Sequence, residues 1–563
     1  MEAKDADRPF PRHGTLQTPA PRSGSRSTGT GLWHRVGNAP TTTKRTSSSF
    51  GGADPGALGA ALRRQSGGDP VERRETHISW VFLVGDRAYK LKKPLVLPFL
   101  DYGTAAQRRA MCREEVHLNR RLARDVYLGV RAVVEGRNGL ELRHERHSGA
   151  IDYVVEMRRF DERRTVASTL SRGELRRSDM QRVAHTLQAF HRRCTPHRGR
   201  LRGSTAVRGE IEENVTELMD LIEPGGEREL VRSLGRALST FVATHAGRLD
   251  LRRAAGLTRE CHGDLRAEHV VLAEDRIRIV DCVEFDRKLR TLDVADDLAF
   301  LMMDLAALGG ERYGEQLVSA YRAAGGDCGD DGLLAFYALH RALVRVKVLL
   351  VRAGQEHTRA PAREMLALAE RYRWRALGPV AVIICGRPAS GKSYLAEALA
   401  ARARLAHLNS DLIRKRLADI EPSERGRPEH YSAAFNRATY SELGREAAAE
   451  VHAGRGAIVD ATFRNRADRE AFAQAFGDAA PLLFIECRAP RAVLLSRALT
   501  RERAAGRVSD ATADVVKRAR WQPLSEIPPE SRIAVRTDTP VEKQIAEVTA
   551  AVSQGPISRS RPG

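Results

Sequence analysis

The chain has 563 residues, enough for two or three domains with buried cores. At 42% hydrophobic residues it is not a disordered chain, and without an apolar run near the roughly 18 residues of a membrane span it is not a polytopic membrane protein. The formal charge of +21 calls for a polyanion: nucleotide phosphates, nucleic acid or an anionic membrane surface. That charge is mostly dispersed arginine, since only 11 of the 93 basic residues are lysines. The longest apolar stretch, near 298–309, is broken by Asp304. Seven cysteines without C-x-x-C or zinc spacing fit reduced thiols, and no apolar leader marks the N-terminus, so the expected location is cytoplasmic.

Residues 1–70 are rich in Gly, Ser, Thr, Pro and Arg without apolar periodicity, and read as a disordered basic tail. Order is expected from about Thr76. The segments Ile78–Val84 and Ala88–Lys92 read as two strands turned at Gly85-Asp86, Arg108–Leu122 as a helix and Tyr153–Met157 as a further strand. From about 176 to 255 apolar residues recur at three- and four-residue spacing, which predicts helices. Short strands at 270–272 and 277–280 are followed by helix from about 291 to 370. Beyond 378, unrelieved apolar strands at 380–384, 457–459, 482–485 and 533–535 alternate with helices, the pattern of a parallel sheet covered on both faces. The division is a tail (1–70), an α+β domain (71–370) and an α/β domain (378–553).

Two segments of the first domain bear chemistry. Lys90, Lys92 and Lys93 place three of the 11 lysines within four residues, with Lys90 and Lys92 on one side of a strand. Glu115 on the following helix is the preferred partner, with Glu114 as the alternative. Downstream, Cys261-His262-Gly263-Asp264-Leu265 leads through His269 to Ile279-Val280-Asp281. Two carboxylates, Asp264 and Asp281, joined by a short hairpin suit phosphoryl transfer, one facing the acceptor hydroxyl and the other holding Mg2+.

In the second domain Gly386-Arg387-Pro388-Ala389-Ser390-Gly391-Lys392-Ser393 fits G-x-x-x-x-G-K-S between a strand and a helix. Backbone N–H groups and the helix N-terminus face phosphates there, Lys392 reaches the β- and γ-phosphates, and Ser393 binds Mg2+. Asn409-Ser410-Asp411 and Val459-Asp460-Ala461-Thr462 follow at strand ends, where parallel sheets hold ligands. Asp411 is placed to activate an acceptor hydroxyl and Arg414 to hold an anionic group on it. Arg497 and Arg501, one turn apart and followed by Arg503 and Arg507, suit a lid over ATP.

On these elements the stretch 378–553 resembles the P-loop kinases that include polynucleotide 5′-hydroxyl kinases, gluconate-type kinases and zeta toxins. The resemblance implies Asp411 as base, Arg414 as acceptor-binding residue and Arg501 as lid arginine. The stretch around His262–Asp264 resembles the catalytic loop of aminoglycoside phosphotransferases, which implies a protein-kinase-like fold, Asp264 as base and Asp281 as metal ligand. It departs from that pattern at His269, which stands where the family has a metal-binding Asn. The strand frame of that likeness favours Lys92 as the nucleotide lysine.

Together with Thr76–Trp80, Tyr89–Pro94, Phe99–Tyr102, Val283–Asp286 and Leu292–Leu301, these motifs resemble a family that fuses an aminoglycoside-phosphotransferase-like domain to a P-loop kinase-like ATP-binding domain. The expectation is an ATP- and Mg2+-dependent phosphotransferase acting on a small-molecule hydroxyl. Two alternatives are a nucleic-acid 5′-hydroxyl kinase or toxin-like protein, and a scaffold that only binds nucleotide. No aromatic platform accompanies the basic residues, which counts against nucleic acid.

Overall fold

The computed structural model describes residues 51–97, 100–197, 199, 203–356, 359–502 and 512–554. A six-stranded antiparallel sheet comes first in the chain. Its strands run, in spatial order, Val71–Glu75, Ser79–Val84, Arg87–Lys92, Ala150–Arg158, Tyr127–Gly136 and Gly139–His144. The helix Ala105–Ala123 crosses one face, started by a capping box between Thr104 and Gln107. Cys112 and Val116 of that helix pack on Val81, Leu83, Val134, Val155 and Met157.

The opposite face corrects the reading of 1–70 as tail over its last part, while residues 1–50 lie outside the described residues. Residues 55–65 are a helix, Pro55–Gln65, capped by Asp54, whose side chain accepts from the Ala57 N–H. Leu58, Ala61 and Leu62 cover Phe82, Leu91 and Val154. The helix exists because that sheet face is apolar, not because its own Ala/Gly-rich sequence is strongly amphipathic. The hairpin Tyr127–Gly136/Gly139–His144 was also absent from the sequence reading.

A helical body follows. The helices Arg177–Arg193, Val294–Ala307, Glu311–Ala323, Asp331–Glu356 and Ala360–Ala376 share one core with Gly203–Leu221 and Gly226–Thr244. Two short antiparallel strand pairs lie on it, the hairpin Val270–Leu272 with Ile277–Ile279, and Thr258–Glu260 with the more distant Thr291–Asp293. Helix therefore begins at Val294 rather than 291, because Asp293 ends a strand and caps the helix through the Ala295 N–H.

The last part is a five-stranded sheet in the order Ala406–Asn409, Ala457–Asp460, Ala381–Gly386, Leu482–Arg488, Arg532–Arg536, parallel throughout. Lys392–Ala403 and Val541–Gln554 cover one face, and Ala433–His452 and Arg466–Phe476 the other. Burial on both faces is why these strands carry no polar alternation.

The helix Ala360–Ala376 joins the two parts. Its Leu366 and Tyr372 lie in the helical core, whereas Trp374 is buried against Val380, Leu395 and Leu399 of the P-loop sheet and helix. Glu370 of that helix pairs with Arg402 at 3.2 Å. Burying an indole of this size contributes about 3 kcal/mol, so the helix belongs to both cores. No helix among the described residues is long and apolar enough to cross a membrane, and all seven cysteines are buried and unbridged.

Candidate active sites

The P-loop owes its shape to backbone conformation. Gly386 sits at φ +146°, where a Cβ would stand 2.7 Å from the Cys487 carbonyl oxygen, and Gly391 at φ +89° turns the chain into the helix Lys392–Ala403. Ala389 holds φ +63° without being glycine, a strain of about 1–3 kcal/mol. Packing on Leu494 and Ala498 keeps it there. From behind, the Ser390 carbonyl accepts from Thr537 Oγ1 and, at 3.3 Å, from Arg497 Nη1, while Arg497 Nη2 donates to the Thr537 carbonyl at 2.6 Å. Arg497 is thus a strut of the loop rather than a lid. Arg501 ends the same helix, Arg491–Glu502, but its side chain lies outside the described residues, as do Arg503 and Arg507.

Arg387 is exposed, Pro388, Ala389 and Ser390 are buried, and Lys392 and Ser393 are half-buried at the mouth. Pro388 supplies no N–H, so the cradle rests on its neighbours and on the helix N-terminus.

Parallel pairing brings Ile384 level with Asp460, and Asp460 level with Asn409. Asn409 then works twice. Its Oδ1 accepts from the Asp411 and Leu412 N–H groups at 2.9 and 3.1 Å, capping the helix Ser410–Leu417, and its Nδ2 donates to Asp460 Oδ2 at 2.6 Å. Asp411 is therefore set in the first turn at the sheet's C-terminal edge. Burial pushes the Asp460 carboxyl up, but His407, Lys392 and the Ser393 hydroxyl outweigh it and hold the group below its usual range. The sequence reading quoted Asp460 without assigning it a role.

Arg414 is buried. Its Nη1 donates to the His430 carbonyl at 2.7 Å, its guanidinium lies 4.8 Å from the Tyr431 ring centre, and its Nε has no hydrogen-bond partner among the described residues.

Magnesium fits this site on one direct observation: Asp460 Oδ1 is buried and has no partner among the described residues, while Oδ2 is engaged. An ionised oxygen left bare in the interior is costly, and a hydrated cation on Ser393 satisfies it.

In the first part of the chain, His262 and Asp264 lie on a loop tied to the body by Asp297. Asp297 accepts from the His262 N–H at 3.1 Å and the Gly263 N–H at 2.9 Å, and His191 Nε2 stands 3.1 Å away. Burial opposes its ionisation, but these groups win and pull it down to about 2. Gly263 is required, because at φ +85° a Cβ would lie 2.6 Å from the Leu289 carbonyl oxygen. His262 is buried with Nε2 3.0 Å from the Val280 carbonyl, and burial lowers it to about 4, so it is neutral.

Asp281 adopts φ +64°, a left-handed conformation, with its N–H donating to the Tyr127 hydroxyl. Its Oδ1 meets Lys90 Nζ at 2.8 Å, and the same Nζ reaches Glu115 Oε1 at 2.9 Å. Lys92 is enclosed: fully buried, it binds Glu115 Oε2 at 2.6 Å and Glu284 at 2.5 Å, with the Tyr102 hydroxyl beside it. The preference for Lys92 is corrected on this geometry. Lys90, not Lys92, reaches Asp281, whose carboxylate is partly exposed, and Lys92 pairs with the buried carboxylates of Glu115 and Glu284. Glu115 is the shared partner, and Glu114 pairs instead with Arg290 at 2.8 Å.

Asp264 receives the Arg266 Nε at 3.0 Å on both oxygens; burial raises its pKa, and the Arg266 guanidinium overcomes that to hold it well below the usual range. His269 Nδ1 lies 2.7 Å from the Asp264 carbonyl oxygen, and its Nε2 accepts from Arg266 Nη2 at 2.9 Å. Nε2 is 3.8 Å from Asp281 Oδ2. A guanidinium therefore occupies the side of His269 that a metal would need. The expected metal role fits Asp281, which is partly exposed, and does not fit His269.

Residues 382–522 match the family described as AAA domain. "Uncharacterized protein Rv2004c" of Mycobacterium tuberculosis is 32% identical over 457 residues, covering 79% of this chain and 88% of its own length. "Uncharacterized protein Mb2027c" of Mycobacterium bovis matches to the same extent. The chain belongs to the family of these mycobacterial proteins. Among solved structures, a choline/ethanolamine kinase family protein from Mesorhizobium loti is 17% identical over 54% of this chain and 87% of its own, TM-score 0.34. An ADP-bound aminoglycoside phosphotransferase, APH(2'')-Ib, is 14% identical over 56% and 99%, TM-score 0.32. A gluconokinase from Sinorhizobium meliloti is 19% identical over 31% and 93%, TM-score 0.23. Scores this low carry neither fold nor function, which rest on the strand order and loops described above.

Proposed function

We propose that the chain is an ATP- and Mg2+-dependent phosphotransferase with two phosphate-handling units, 71–370 (extended by the helix Pro55–Gln65) and 378–553, working in the cytoplasm. The observation that supports it most is the P-loop braced by Arg497 and Thr537 with the bare, buried Asp460 oxygen beside Lys392 and Ser393.

In the C-terminal unit the loop amides and Lys392 hold the β- and γ-phosphates, and Ser393 and Asp460 hold Mg2+. The metal supplies charge neutralisation between the phosphates when bound. Asp411 accepts the acceptor's hydroxyl proton, and Arg414, kept rigid by His430 and Tyr431, binds the acceptor. In the N-terminal unit Lys90, fixed by Glu115, orients the nucleotide phosphates, Asp281 holds the metal, and Asp264 orients the acceptor hydroxyl. Held so far below the usual range, Asp264 is a weak base, so its contribution is position more than proton affinity.

The pairing of His269 with Arg266 favours a second reading for the N-terminal unit alone, a nucleotide-binding module with slow or no transfer. A γ-labelled ATP assay with pooled sugars, sugar acids, nucleosides, aminoglycosides and 5′-hydroxyl oligonucleotides separates the readings. Wild type, Lys392→Ala and Asp264→Asn are compared. Loss of one set of labelled products in Lys392→Ala and another in Asp264→Asn supports two working units. Products untouched by Lys392→Ala and by a Ser393→Ala control would sink the C-terminal assignment. Labelling of oligonucleotides alone would select the nucleic-acid kinase.

A further inference from the structure

Three carboxylates surround His269. Its Nδ1 lies 3.7 Å from Asp264 Oδ2, and its Nε2 lies 4.0 Å from Glu268 Oε1 and 3.8 Å from Asp281 Oδ2. An imidazole among carboxylates is the donor set of a divalent-cation site. Here a cation is already in place, and it belongs to the chain. Arg266 donates from Nε to both Asp264 oxygens at 3.0 Å, from Nη1 to Glu268, and from Nη2 to His269 Nε2 at 2.9 Å.

The tautomer of His269 follows from its other contact. Nδ1 faces the Asp264 carbonyl oxygen at 2.7 Å, and a carbonyl only accepts, so Nδ1 carries the proton and the lone pair is on Nε2. That lone pair, the one a metal would take, is spent on Arg266. Both side chains are buried, so these are interior contacts rather than passing surface ones. Burial works against the charge of Arg266, but Asp264 and Glu268 outweigh it and hold the guanidinium above its ordinary range. A second cation entering the same cluster would meet a like charge that does not deprotonate. Asp281 stands apart: Arg266 makes no hydrogen bond to it among the described residues, Lys90 takes only its Oδ1, and its side chain is 38% exposed.

We propose that Arg266 fills the place of a divalent cation among Asp264, Glu268 and His269, so that the N-terminal site takes up a single divalent cation with its nucleotide, at Asp281. The inference rests on the reading of that unit as a nucleotide site. Arg266 is then a positioning residue, whose planar fork fixes the carboxylate that faces the acceptor hydroxyl. Because a guanidinium does not dissociate, the positive charge beside Asp264 is independent of metal concentration, and only occupancy at Asp281 depends on it.

The test counts bound Mn2+ in the full chain carrying Lys392→Ala and Ser393→Ala, which disable the C-terminal phosphate site. A non-hydrolysable ATP analogue is supplied below the protein concentration, and electron paramagnetic resonance of the free Mn2+ gives the number bound per analogue. One is expected, and Asp281→Asn should lose it. Arg266→Gln should raise the count to two by freeing Asp264, Glu268 and His269. Arg266→Lys keeps a cation there and should stay at one. Calorimetry of the analogue shows that each variant still folds, and the count in the parent chain needs no change at Arg266. Two Mn2+ per analogue in that parent would overturn the proposal, as would a count of one in an Arg266→Gln chain that binds the analogue. No Mn2+ bound with the analogue would instead overturn the nucleotide reading of the unit.

Discussion

Lys90 and Lys92 face the same side of one strand and share Glu115, yet their removal should have opposite consequences. Lys92→Met leaves Glu115 and Glu284 buried, with Glu284 stripped of its cation, because Lys92 is wholly enclosed. Breaking a buried pair in this way costs about 3–5 kcal/mol, which for a unit of this size lowers Tm on the order of 10 °C. Lys90→Met leaves Glu115 still paired with Lys92 at 2.6 Å and leaves Asp281 partly exposed to water. Its stability cost should be about 1 kcal/mol, while the nucleotide phosphates lose their cation. Denaturant unfolding paired with nucleotide binding, both in a Lys392→Ala background, reads the two effects separately. Lys92→Met should unfold at clearly lower denaturant. Lys90→Met should shift its midpoint by only about a quarter as much and lose ATP affinity at least tenfold. Equal destabilisation by both, with ATP affinity retained in Lys90→Met, would refute this division of labour.

Three further outcomes follow from the same geometry. Asp460→Asn keeps the Asn409 contact possible but removes the ionised oxygen, so C-terminal turnover should fall at least a hundredfold and its Mg2+ dependence shift to higher concentration, measured by metal titration of ATP turnover. His269→Asn withdraws the imidazole that Arg266 donates to and offers an amide oxygen near Asp281; Mn2+ bound in the presence of nucleotide, read by electron paramagnetic resonance, should tighten, and unchanged binding would count against the account of that loop. His340 is buried, its Nε2 lacks a hydrogen bond among the described residues, and burial lowers it to about 3. Since the unfolded imidazole binds its proton near pH 6.5, this histidine's stabilising contribution is present above about pH 6.5 and lost as pH falls toward 3. His340→Leu should flatten that acid arm in pH-dependent unfolding, and an unaltered arm would show that other groups dominate it.

What was legible in the sequence was what is contiguous in it. The P-loop is an unbroken run of eight residues whose glycines and lysine act where they stand, and His262–Asp264 with Asp281 is nearly as local. The parallel sheet was legible because strands buried on both faces cannot alternate. The helix Pro55–Gln65 was not, since Leu58, Ala61 and Leu62 matter only once the apolar sheet face exists. Alternation places Lys90 and Lys92 on one side but cannot say which end of the strand opens on Asp281; the partners Glu284 and Tyr102, which close over Lys92, come from distant segments. Asp460 becomes a site residue through strand register, Asp297 through backbone contacts 34 and 35 residues away, and Arg497 through a carbonyl 107 residues away. None has a local signature. The departure at His269 was visible in the sequence, but its consequence depends on Arg266 folding back onto it.

The central claim is that one chain holds two nucleotide sites of different construction. Calorimetric titration of the full chain with a non-hydrolysable ATP analogue and Mg2+ tests it most directly. The account predicts two sites in the wild type, one in Lys392→Ala, one in Lys90→Met and none in the double variant. A single site in the wild type, or two that survive Lys392→Ala, would contradict it.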